Sequence, residues 1–103
     1  MLLSNYTEFT RTTAIYPKEQ ALEYLGLGLV SEAGEVAGKL KKRIRDGAMD
    51  VDALAAEIGD VYWYLSRLCD EIGIAPGTIL RQNMEKLSSR KERGTIGGSG
   101  DVR

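Results

Sequence analysis

Histidine is absent from this 103-residue chain, and cysteine occurs once, as Cys69. With no imidazole and one thiol, the chain can supply neither a nitrogen-and-sulfur zinc site nor an internal disulfide. The di-iron bundles that pair Glu with His three residues later are excluded for the same reason. Cys69 falls inside a helical pattern and reads as a small buried hydrophobe. Charge of one sign is lacking too: 14 Lys and Arg against 15 Asp and Glu leave a net charge of −1. No broad positive field therefore exists to draw the chain to duplex nucleic acid. No apolar run approaches the roughly 20 residues that span a bilayer, and "MLLSNYTEF" lacks the basic and apolar segments of a secretory signal. The expectation is a cytoplasmic protein with no membrane or duplex nucleic acid partner. Alternating strand patterns are missing as well. "GLGLVSEAG" follows no strand and does not complete a dinucleotide fingerprint, and "RDGAMDVDAL" lacks the alternating acids of a calcium loop.

What remains is a pattern of helices. At 43% hydrophobic and 28% charged, the composition fits one compact domain. A first short helix is expected over residues 5–16, capped by Ser4 and carrying Tyr6, Phe9 and Ile15. A second, over 18–45, places Leu22, Gly26, Leu29, Ala33, Val36, Leu40 and Ile44 on one face. A third begins where Asp50 or Asp52 can cap, aligns Leu54, Ile58, Val61, Leu65, Leu68 and Ile72, and ends at Gly73. Pro76 opens a fourth that runs to Glu92. The domain is thus expected over residues 1–93, and the Gly-rich segment 94–103 is expected to be mobile unless a partner orders it. The fold class is all-α, a four-helix-bundle-like arrangement with antiparallel long helices. A helical chain this small often completes its core against another copy of itself.

Both long helices carry two acids three residues apart, Glu32 and Glu35 in one, Glu57 and Asp60 in the other. At about 100° per residue, each pair falls on one flank of its helix, beside the apolar stripe. Lys39 lies between Glu32 and Glu35 on the same flank, and Tyr64 lies one turn beyond Asp60. Antiparallel packing can bring the flanks together into one cleft. Isolated acids on a helix flank are ordinarily just solvated. Four converging carboxylates, however, would not all stay ionised on their own, and they make sense if divalent cations occupy the cleft. An all-oxygen ligand set points to Mg²⁺, with Mn²⁺ able to substitute.

These motifs carry a resemblance. "SEAGEVAGKLKK", "LAAEIGDVYWYL" and the later "NMEKLSSRKERG" resemble the E-x-x-E…E-x-x-D and N-x-x-K-L-x-x-R elements of the MazG-like nucleoside triphosphate pyrophosphohydrolases, over residues 24–94. The resemblance implies an all-α fold assembled as a homodimer or a dimer of dimers. It also implies Mg²⁺-dependent cleavage of a (d)NTP to the monophosphate and pyrophosphate, as in nucleotide-pool house-cleaning. Glu32, Glu35, Glu57 and Asp60 would then be the catalytic and metal-binding residues.

Asn83, Lys86 and Arg90, at spacings of three and four, form one polar stripe on the fourth helix. Such a stripe commonly faces solvent, but it also offers an amide and two cations to phosphates. Tyr64 could contact the sugar or base, or simply sit at the core edge. Trp63 lies opposite the third helix's apolar stripe and would be exposed in a lone unit. It is therefore expected in a subunit interface or stacked on a nucleotide base. Lys39, Trp63 and Tyr64 complete the candidate substrate-binding set. The rival function is a non-catalytic helical module that binds nucleotide or a partner.

Overall fold

The computed structural model describes all 103 residues and contains four α-helices and no strand. Helix α1 spans Leu3–Arg11, a 3-10 turn occupies Lys18–Gln20, α2 spans Ala21–Asp46, α3 spans Val51–Ile72 and α4 spans Pro76–Glu92. The punctuation between the later helices follows local chemistry. Gly47 ends α2 at φ +78°, its N–H bonding to the Arg43 carbonyl at 2.8 Å. Gly73 ends α3 at φ +76°, in the left-handed region that only glycine enters without a steric penalty. Between them, the Asp50 carboxylate caps α3 by accepting from the Ala53 N–H at 3.0 Å. A link this short folds α2 and α3 into a helical hairpin, and their packing is the most extensive in the chain. No helix is long and apolar enough to cross a membrane.

The first helix departs from the sequence reading at both ends. Leu2 is its N-cap and makes no side-chain bond, so Ser4 lies within the first turn instead of capping it. The helix ends at Arg11 and does not continue to residue 16. Just beyond it, the Thr12 and Thr13 hydroxyls bond back to the carbonyls of Phe9 and Thr10, at 2.7 and 3.1 Å. Two successive β-branched residues satisfied in this way compete with helix continuation. The chain then crosses to α2 through extended Pro17 and the 3-10 turn, so α2 begins at Ala21.

That crossing segment supplies the centre of the fold. Tyr16, Ala21 and Leu25 are buried, with Ala14, Trp63, Tyr64 and Leu68 packed around them. Beside this cluster runs a polar seam between α1 and α3. Thr7 and Ser66 hydroxyls meet at 3.0 Å, and buried Arg67 donates to the Tyr16 hydroxyl at 3.1 and 3.0 Å and to Asp70 at 2.7 Å. Arg11 closes the network with a two-pronged contact on Asp70 at 2.9 and 2.7 Å. The hydrogen bonds from Arg11, joined by those from Arg67, hold the Asp70 carboxyl well below the usual carboxylate range. No buried side-chain polar atom is left without a partner.

The apolar stripes do not form the chain's own core. Leu22, Leu40, Ile44, Ile58, Leu65 and Ile72 are each more than 40% exposed, and only eight residues are buried, three of them apolar. The reason is topological. α1 and the crossing segment cover the flank of α3 that bears Trp63 and Arg67, and the other helices of a single chain cover the opposite face only in part, leaving an apolar groove lined by Leu3, Tyr6, Leu65, Ile72, Ile79 and Leu80. Accordingly, the radius of gyration is 16.5 Å, against about 13 Å for a compact chain of this length.

Segment 94–103 lies back along α4. Arg90 donates to the Asp101 carbonyl at 2.9 Å, Lys86 pairs with the Asp101 carboxylate at 3.2 Å, and Arg93 donates to the Arg103 carbonyl at 2.8 Å. Arg103 in turn bonds the carbonyls of Thr95, Ile96 and Gly100.

Candidate functional site

The helical hairpin brings three of the four candidate acids together. One carboxylate oxygen from each of Glu32, Glu57 and Asp60 lies within 4.8 Å of the others. Glu57 and Asp60 share a face of α3 by their spacing of three, and the packing of α2 supplies Glu32 across the gap. Glu32 and Glu57 are half-buried and Asp60 is exposed. Glu35, one turn further along α2, is exposed and outside this trio, although its charge reaches Glu32. Burial raises the Glu32 carboxyl above its ordinary range, and the charges of Asp60 and Glu57 raise it further. Crowded anions of this kind are the donor set that a hard divalent cation relieves, so Glu32, Glu57 and Asp60 fit such an ion.

A cleft of about 360 Å³ opens from Glu32 and Asp60, and its other walls are Phe9, Thr13, Trp63 and Tyr64. Both α3 aromatics are held in place. The Trp63 Nε1–H donates to the Thr13 hydroxyl at 2.7 Å, and its ring meets Tyr64 edge-on with centroids 4.9 Å apart. Tyr64 lies directly on the backbone of α2 at Gly28, where any Cβ would overlap its ring. Its hydroxyl is pushed up in pKa, first by burial and then by Tyr24, with Glu32 and Asp60 adding smaller contributions. Trp63 is thus half-buried against the chain's own cluster, not exposed on a free face. Its place opposite the stripe follows from helical periodicity, which carries no sign that residues 10–17 fold over that side.

The basic stripe stands apart from the acids. Lys86 is half-buried and Arg90 buried, both paired with segment 94–103, while Asn83 is exposed. α4 packs on α1 and α3 but does not meet α2, so one chain does not bring this stripe to Glu32. Lys39 is half-buried on α2 and takes part in none of the five ion pairs.

The family model of the MazG nucleotide pyrophosphohydrolase domain matches residues 20–95. The chain belongs to this family. The MazG match takes in all four candidate acids, Tyr64, and the Asn83, Lys86 and Arg90 stripe. The chain is also similar to the gene 37 protein of Mycobacterium phage L5, at 45% identity over 102 residues, covering 88% of this chain and 90% of that protein. No solved structure matches it. The MazG region begins just before α2, so Phe9 and Thr13 lie outside it. Phe9 was legible only as an apolar position of the first helix, and Thr13, in the turn after α1, had no signal because it belongs to no spaced motif.

Proposed function

We propose that this MazG-family protein hydrolyses a nucleoside triphosphate to the monophosphate and pyrophosphate, with Mg²⁺ or Mn²⁺ as cofactor. The observation that carries the reading is the carboxylate trio Glu32, Glu57 and Asp60, two of which, Glu32 and Asp60, line a cleft together with Phe9, Trp63 and Tyr64. A bound divalent cation would neutralise the polyphosphate and lower the barrier to breaking the phosphoanhydride. The protein's own contribution begins with position. Glu57 and Asp60 are fixed relative to each other by one turn of α3, and Glu32 is carried to them by the hairpin. Glu35, exposed one turn further along α2, would add a fourth carboxylate beside a bound cation. One of these carboxylates orients the attacking water and accepts its proton, the role that general-base catalysis assigns to a positioned acid.

The reading also needs positive charge, because a triphosphate carries more negative charge than a metal cluster alone cancels. Lys86 and Arg90, with Asn83, are the groups suited to the phosphates. In a homodimer or dimer of dimers, α4 of a second copy supplies them to the acids. The exposed faces of α2 and α3 give such an association its apolar contact. The test is a screen of purified protein against the common (d)NTPs with Mg²⁺, reading monophosphate and pyrophosphate. Stoichiometric release of both, abolished by EDTA, is expected. Release of orthophosphate and a nucleoside diphosphate would reject the reading.

A further inference from the structure

The cleft is lined by two chemically different sets of residues, carboxylates and aromatics, and one helix outside the family match contributes to the second. Its lining combines the carboxylates Glu32 and Asp60 with the rings of Phe9, Trp63 and Tyr64, and Thr13 bonds the indole. We propose that α1 and the turn after it complete the nucleoside subsite, with Phe9 as a stacking wall for the base and Thr13 as the residue that positions Trp63 as another. The proposal rests on the pyrophosphohydrolase reading and adds the group that binds the substrate's base.

Three observations support this assignment. First, a cleft of about 360 Å³ lies within the usual range for small-molecule sites, which begins at about 300 Å³. Second, the aromatic wall is organised before anything binds. Thr13 accepts from the indole N–H at 2.7 Å while its own hydroxyl donates to the Thr10 carbonyl at 3.1 Å. Tyr64 is seated on Gly28 and packed edge-on to Trp63. Little rotamer freedom is left for a ligand to quench, which is how preorganisation favours binding. Third, Phe9 is the contrasting member. Phe9 is 58% exposed although it stands in a cleft with two other aromatics. An aromatic ring there serves little for the chain's own packing and is well placed to cover the face of a base.

The same lining predicts how the base is read. Thr13 already uses its hydroxyl as both donor and acceptor, and no Lys, Arg, Asn or Gln lines the cleft. Recognition by these residues therefore runs through stacking, which every base can provide and which scales with ring area more than with edge chemistry. The substrate class is nucleoside triphosphates bound with shallow base discrimination. Purines are favoured over pyrimidines by about tenfold or less, well below the discrimination of a site that reads base edges.

Trp63 is the only tryptophan, so its fluorescence reports on the subsite without turnover. The experiment titrates the intact protein, in Mg²⁺, with an α,β-methylene nucleoside triphosphate and separately with inorganic tripolyphosphate. The nucleotide analogue is expected to quench Trp63, and tripolyphosphate to bind by calorimetry without quenching. Phe9→Ala should weaken the analogue about tenfold and leave tripolyphosphate unchanged. Thr13→Val should shift Trp63 emission and weaken the analogue, and Thr13→Ser, which keeps the hydroxyl, should restore both. A thermal midpoint on each variant separates these effects from loss of fold. If wild type binds both probes but Phe9→Ala weakens both alike, or neither, the α1 subsite is wrong and the pyrophosphohydrolase reading stands. If wild type binds neither probe, both proposals fall.

Discussion

Glu32 is held at a cost. Burial and the neighbouring Asp60 and Glu57 charges disfavour its ionisation, so the metal-free fold carries repulsion that a cation would remove. Replacing Asp60 with Asn should relieve it. We expect the Asp60→Asn and Glu32→Gln proteins to unfold at a higher temperature than wild type in EDTA and, unlike wild type, to gain no stabilisation from added Mg²⁺. Their turnover should fall at least about a hundredfold, since the lost charge stabilisation is worth several kcal/mol. Lower thermal midpoints in EDTA would assign these acids a structural role instead. Asp70 behaves in the opposite sense. Its folded pKa is depressed by Arg11 and Arg67, so its stabilisation is fully present above the ordinary carboxylate value of about 4. As the pH falls below that value, toward the depressed one, the stabilisation is lost. Acid titration by circular dichroism should show wild type losing stability over this range. Asp70→Ala should be less stable at neutral pH by about 3 kcal/mol, because it leaves buried Arg67 without its carboxylate. It should also show a flatter acid limb; an acid limb as steep as wild type's would move the pH dependence to other groups.

At the scale of helices, most boundaries were legible because each rests on a local signal. Asp50, Gly47, Gly73 and Pro76 cap or break at the positions their chemistry dictates. The short link between α2 and α3 made their antiparallel pairing readable from residue order, and the E-x-x-E and E-x-x-D spacings placed each acid pair on one flank of its helix. Less legible was everything that depends on a segment without periodicity. Residues 12–17 carry no repeating pattern, yet they hold Tyr16 in the core and Thr13 against Trp63. The buried residues of α2 and α3, namely Ala21, Leu25, Ser66 and Arg67, lie off the apolar stripes expected from periodicity, which gives no sign of whether the chain itself or another chain covers those stripes. Gly28 gave only a weak signal, as one glycine of "GLGLVSEAG". Its role as the seat of Tyr64 is a contact between elements. Gly28→Ala should force Tyr64 to move, costing about 1–3 kcal/mol and shifting Trp63 emission through the edge-on pair. An unchanged emission spectrum and thermal midpoint would contradict this packing. Segment 94–103 is tied to α4 through Arg90 and Lys86. Arg90→Ala should therefore make it far more sensitive to limited proteolysis while helices α2 and α3 stay resistant, and equal sensitivity of the two proteins would show that those contacts do not hold it.

The whole molecule is more open than its length requires, and its largest apolar surfaces face outward. Ile58, Leu65 and Ile72 recur at intervals of seven along one side of α3, each at least 41% exposed. An apolar row of that length on a chain with three buried apolar residues fits an interface better than a free surface. Sedimentation across a dilution series should find a dimer or larger species at micromolar concentration. Leu65→Glu should dissociate or unfold it, since an unpaired charge would enter the contact. A stably folded wild-type monomer would leave the acidic trio without the α4 cations of a second copy. The trio and those cations bear jointly on one outcome, the bond that is broken. Phosphorus NMR of the wild-type protein with a deoxynucleoside triphosphate and Mg²⁺ observes it directly. The expected spectrum shows monophosphate and pyrophosphate growing in equal amounts, and no change when EDTA is present from the start. Orthophosphate appearing with nucleoside diphosphate, or hydrolysis continuing undiminished in EDTA, would contradict a carboxylate-held cation acting between the α- and β-phosphates.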